Sequence, residues 1–108
     1  MIFYVSHKCD SPSDIDRARK ITQELQMNDL QNSYFCPVLA LSHIPHGKIS
    51  EACELAIRGD FLQMCDKLIV ASEQDDLVKS EIALAQTLKN SSQEPIEVMY
   101  IEDEYGTV

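Results

Sequence analysis

Hydrophobic positions cluster at once: Ile2-Phe3-Tyr4-Val5-Ser6 is an apolar, β-rich run that stops at the polar, turn-forming segment His7-Lys8-Cys9-Asp10-Ser11-Pro12. Such a run, bounded in this way, predicts a strand. The period then changes. Ile15, Ala18, Ile21, Thr22 and Leu25 recur at helical spacing. Ser13 is the expected N-cap, with Asp14 and Asp16 in the first turn, and the helix is expected to reach about Met27. Tyr34 to Leu39 is a second apolar run, and Pro37 within it removes a backbone donor, so the strand is expected to stop there. Ala40 to Gly47, carrying Ser42, His43, Pro45 and His46, reads as a loop. It leads into a helix over about 49–63 whose apolar face is expected to be Ile49, Ala52, Cys53, Ala56 and Ile57.

Lys67 to Ser72 has the continuous apolar character of a central strand covered on both faces. Val78, Ile82, Ala85 and Leu88 predict a third helix ending near Asn90, and Pro95 to Ile101 predicts a last strand. Strands alternating with helices across compact connections predict one α/β domain over 1–108. Its form is three-layer, Rossmann-like or flavodoxin-like, with a parallel sheet of four to five strands and helices on both faces. Ligands of such sheets bind outside the strands' carboxyl ends. The loops expected there are His7 to Ser13, Leu39 to Gly47 and Ser72 to Asp76. The polar tail from Glu102 to Val108 is expected to be mobile or to complete a site in a neighbouring subunit.

Composition narrows the partners. The chain has 108 residues, 44% hydrophobic and 25% charged, which is ordinary globular usage. A net charge of −9 opposes a polynucleotide ligand, which clustered Lys and Arg would have to grip. A small anion remains compatible with that charge, because a helix N-terminus can hold a phosphate. No apolar stretch approaches the roughly 20 residues of a membrane span, and the N-terminus lacks the pattern of a signal peptide, so a cytoplasmic protein is expected. Cys9, Cys36, Cys53 and Cys65 stand singly inside expected core elements, which reads as reduced thiols without the paired spacing of a zinc site. Dinucleotide, P-loop, serine-hydrolase, HExxH and CxxC signatures are absent.

Among residues able to carry chemistry, Glu81 lies in the first turns of the third helix, where the dipole favours an ionised carboxylate. A bare Glu there is more often a solvated residue of an amphipathic helix. Asp60 follows Gly59 near a helix end, and Asp66 closes the turn before the central strand, both readily structural. His43 and His46 form a pair three apart without a third ligand at metal spacing. His7 directly follows the first strand.

Two segments carry a resemblance. Gly59-Asp60-Phe61-Leu62-Gln63-Met64-Cys65-Asp66-Lys67-Leu68-Ile69-Val70-Ala71 places an Asp, a spacer, a small residue and a second Asp before an apolar strand. Asp75 to Ala85 places an acid before Glu81-Ile82-Ala83-Leu84-Ala85. Both resemble the nucleoside 2-deoxyribosyltransferase-like superfamily, over nearly the whole chain. Two departures stand out: Leu77-Val78-Lys79-Ser80 replaces the usual glycine-containing turn, and the first loop has no glycine.

The resemblance implies Glu81 as nucleophile, Asp60 on the sugar hydroxyls, and Asp75 or Asp76 as the acid that protonates the departing base. Tyr4, Ser6 and His7 would line the pocket, with Asp66 and His43 among the substrate-binding candidates. The implied activity is a deoxyribosyltransferase or a deoxynucleoside or deoxynucleotide N-hydrolase. It needs neither metal nor organic cofactor, takes a nucleoside or nucleotide, and works as a homo-oligomer. That reading expects Glu81 and Asp60 to face one pocket. A non-catalytic nucleotide- or metabolite-binding module of the same fold expects Glu81 turned away or paired, and an acidic interaction protein expects a pocket closed by side chains.

Overall fold

The computed structural model describes residues 1–41 and 50–101. His43, His46 and the tail after Ile101 lie outside the described residues. In chain order the elements are β1 (Ile2–Ser6), α1 (Pro12–Asn28), β2 (Ser33–Phe35), α2 (Pro37–Ala40), α3 (Glu51–Gln63), β3 (Lys67–Val70), α4 (Asp76–Thr87) and β4 (Glu97–Tyr100). The strands form one parallel sheet in the order β2-β1-β3-β4. Tyr4 pairs with Phe35 on one side and with Leu68 on the other.

Side-chain alternation along each strand divides the core into two layers. Phe3, Val5 and Ile69 pack with Ala18 and Ile21 of α1 and with Val38 of α2. Tyr4, Leu68 and Val70 pack with Leu62 of α3 and with Val78, Ile82 and Ala85 of α4. The result is a three-layer, Rossmann-like α/β fold whose strand order begins as in flavodoxin-like sheets. Chain order reverses direction at β1 and β3, so the crevice beyond their carboxyl ends, after Ser6 and Val70, is the place where such a fold receives a ligand.

Three local expectations are corrected. The N-cap of α1 is Ser11, not Ser13: its hydroxyl accepts from the Asp14 amide at 3.3 Å. Pro12 fits the first helical position because it has no N–H to leave unpaired, so the helix starts two residues early. β2 ends at Phe35, and Pro37, by the same logic, opens the short helix α2 that the apolar run concealed.

The inward face of α3 is also different. Ala52, Cys53 and Ala56 are exposed, while Arg58, Gly59 and Leu62 are buried and Leu55 is half-buried. The helix carries two stripes. The stripe with Leu55 and Leu62 removes more apolar area from water, and Arg58 within it meets a buried carboxylate. All four cysteines are free thiols, and Cys53 is exposed rather than in the core.

Candidate active site at the carboxyl ends of β1 and β3

β1 sends Tyr4 and Ser6 to the α3/α4 face, and both are fully buried. α4 brings Glu81 to them. Its N-cap is Asp75, whose carboxylate accepts from the Val78 amide at 2.9 Å. From there Val78, Glu81, Ile82 and Ala85 form a buried stripe at offsets of three, four and seven. Glu81 therefore stands inside the core at 0% exposure, not in solvent.

The Tyr4 hydroxyl donates to Glu81 Oε2, and Ser6 Oγ donates to Oε1 at 2.9 Å. Arg58 Nη1 approaches Oε2 at 3.5 Å, the longest of the three contacts. Its Nη2 donates to Glu54 Oε1 at 3.0 Å, and its buried Nε has no partner among the described residues. One guanidinium is thus shared between a half-exposed and a fully buried carboxylate.

The electrostatics follow from burial. Loss of water raises the Glu81 carboxyl above its ordinary range, while Arg58 and the hydrogen bonds from Tyr4 and Ser6 pull it back. Burial, then the adjacent Glu81 charge, push the Tyr4 phenol far up, so it remains a donor. Burial opposes the Arg58 charge, yet Glu81 and Glu54 hold its affinity for the proton above normal. In this cluster Glu81 is the group whose proton can move. As an anion fixed by two hydroxyl donors, it has the position of a nucleophile or base.

His7 follows Ser6 and is also fully buried. Its Nδ1 lies 2.6 Å from the Lys8 carbonyl oxygen, which only accepts, so Nδ1 carries the proton and Nε2 presents a bare lone pair. Nε2 has no partner among the described residues. Burial lowers the affinity of the ring for a second proton, so His7 is neutral at neutral pH. Ser72, just past β3, ties the crevice together: its hydroxyl accepts from the Lys8 amide and donates to the Glu73 carbonyl, each at 2.9 Å.

The other residues singled out in the sequence separate from this cluster. Asp75 is engaged as the α4 cap, and Asp76 is exposed in the first turn, its carbonyl accepting from Ser80 Oγ. Asp60 is exposed and lines, with Ala56, Leu84 and Leu88, a shallow apolar depression between α3 and α4. Asp66 sits at the opposite end of the sheet, where its carboxylate accepts from the Ile2 amide at 2.8 Å. His43 lies outside the described residues. Among the described residues, no three His, Cys, Asp or Glu side chains converge as a metal ion requires.

Arg58 and Glu54 are the members that sequence reading passes over. The available signal is that Arg58 lies three residues after Leu55 and four before Leu62, so a cation interrupts an apolar stripe. A buried cation needs an anionic partner. No protein-family model matches the chain, and neither a curated protein nor a solved structure matches it significantly.

Proposed function

We propose that the chain cleaves or exchanges the N-glycosidic bond of a deoxynucleoside or deoxynucleotide, with Glu81 as the nucleophile. One observation carries the reading: a carboxylate held by Tyr4 and Ser6 at the carboxyl ends of the two central strands. The Glu81 oxygen attacks the anomeric carbon, the carbon–nitrogen bond breaks, and the departing base takes its proton from water, since Asp75 is engaged as the α4 cap. Water or a second base then displaces the carboxylate. Tyr4 and Ser6 orient the attacking oxygen, and Arg58 must yield its long contact as the sugar arrives. Asp60, exposed and apart from the Glu81 cluster, is given no part.

A second reading is supported by the pairing of Glu81 with Arg58 and its complete burial: a nucleotide- or metabolite-binding module in which the cluster is structural. Base release from a panel of deoxynucleosides and their monophosphates, with wild type and Glu81→Ala compared under identical conditions, separates the two. The catalytic reading expects release by wild type and a loss of about 10³-fold or more in the variant. A wild type that releases no base, yet melts at higher temperature with one of these compounds, belongs to the binding module.

A further inference from the structure

Doubly wound folds commonly seat a ligand's phosphate where the first strand turns into the first helix, on backbone N–H groups at the positive end of the helix dipole. In this chain that place holds a carboxylate of its own. Asp14, 7% exposed in the first turn of α1, accepts from the Asp10 amide at 3.1 Å through Oδ2. The amides of Asp14 and Ile15 bond to the Ser11 carbonyl at 3.1 and 3.3 Å. The Lys8 amide is held by Ser72 Oγ.

Two nearby cations are committed as well. Lys8 Nζ lies between Asp14 Oδ1 at 3.9 Å and Glu73 Oε2 at 3.4 Å. Arg58 is shared between Glu54 and Glu81. His7 adds no charge, and its unpartnered Nε2 is an acceptor, which suits a hydroxyl or N–H donor and opposes a phosphate oxygen.

We propose that the ligand of this crevice is an uncharged nucleoside and that Asp14 determines this choice by standing where a 5′-phosphate would lie. The inference rests on the nucleoside reading of the same site and adds to it the exclusion of the nucleotide. A phosphate entering beside Asp14 meets a fixed like charge, with the Lys8 and Asp10 amides already in use, whereas a free 5′-hydroxyl meets acceptors.

The test is a ¹H–¹⁵N titration of the whole chain with inorganic phosphate, a deoxynucleoside and its 5′-monophosphate. It is run on wild type, Asp14→Asn and Glu73→Gln. In wild type, phosphate at roughly 10 mM is expected to leave the amides of residues 8–15 unshifted, and the monophosphate to bind at least about tenfold more weakly than the nucleoside. Asp14→Asn should bring phosphate shifts to those amides and narrow the gap. Glu73→Gln, a surface change that removes one of the two carboxylates facing Lys8, should do so to a smaller extent and keeps the test alive if Asp14→Asn unfolds.

A monophosphate that binds wild type as tightly as the nucleoside overturns the inference and leaves the nucleoside reading standing. Binding of neither compound overturns both. Variants that go on rejecting phosphate remove Asp14 from the role.

Discussion

The two faces of β1 lie at the same depth and are built from opposite materials. On one, Phe3 stacks on Tyr34 with ring centroids 4.9 Å apart, and Val5 packs with Ala18, Ile21 and Ile69, all without charge. On the other, Tyr4 and Ser6 meet a carboxylate and a guanidinium, each at most 2% exposed. On the first face an apolar layer alone covers this strand. The second therefore carries something folding does not require, because burying an ion pair has a desolvation cost that its attraction often fails to offset. Perturbed, buried ionisable groups in the crevice of an α/β sheet are a physical reason to look for function there.

The sharpest way to break that contrast is Arg58→Met. It leaves Glu81 buried without its counter-charge and is expected to cost about 3–5 kcal/mol in denaturant unfolding at neutral pH. The loss should shrink in acid, where Glu81 takes up a proton. The double variant Arg58→Met with Glu81→Leu should recover most of the stability, since an apolar replacement of a buried pair is often neutral or better. A single variant as stable as wild type would mean that the charged face is no more demanding than the apolar one.

Phe3→Ala probes the apolar face and is expected to cost about 3 kcal/mol through lost burial and the cavity left behind. Unlike the Arg58 effect, this loss should not vary with pH.

The smallest effect is a pH dependence. Burial, only partly offset by Arg58 and the two hydroxyls, raises the folded-state pKa of Glu81 above its ordinary 4.5. The folded chain then binds its proton more tightly than the unfolded chain. The associated stability is present below the unfolded value and is lost as pH rises through the folded one. Glu81→Gln removes this loss, so the Tm of the variant should gain on wild type as pH rises from about 4.5. A constant difference in Tm across that range would show that Glu81 ionises as freely folded as unfolded.

Much of the site was legible in the chain. Tyr4 and Ser6 share the parity of one strand and so had to share a face. Glu81 lies within the stripe of Val78, Ile82 and Ala85, which announces burial once the stripe is counted by position rather than by polarity. The start of α1 was misplaced and α2 was missed because Pro12 and Pro37 were read as interruptions, when each is suited to the first turn of a helix. Asp60 was joined to Glu81 by resemblance alone, and the turn of α3 leaves it exposed while Arg58 is buried.

By itself the sequence determined the fold class, the order of every element except α2, and the two faces of each strand. Those depend on short-range periodicity, and the alternation of a strand leaves no freedom once one residue is placed. Only the tertiary structure decided how α3 is rotated about its axis. With about 100° between successive residues and two plausible apolar stripes, that rotation is settled by what the helix meets on its own face of the sheet, α4 above all. It brings Arg58 to Glu81, 23 positions further along the chain, and leaves Asp60 in solvent. Local spacing contains no term for such a pairing, because the free energy of burying a charge depends on which opposite charge the fold delivers to it.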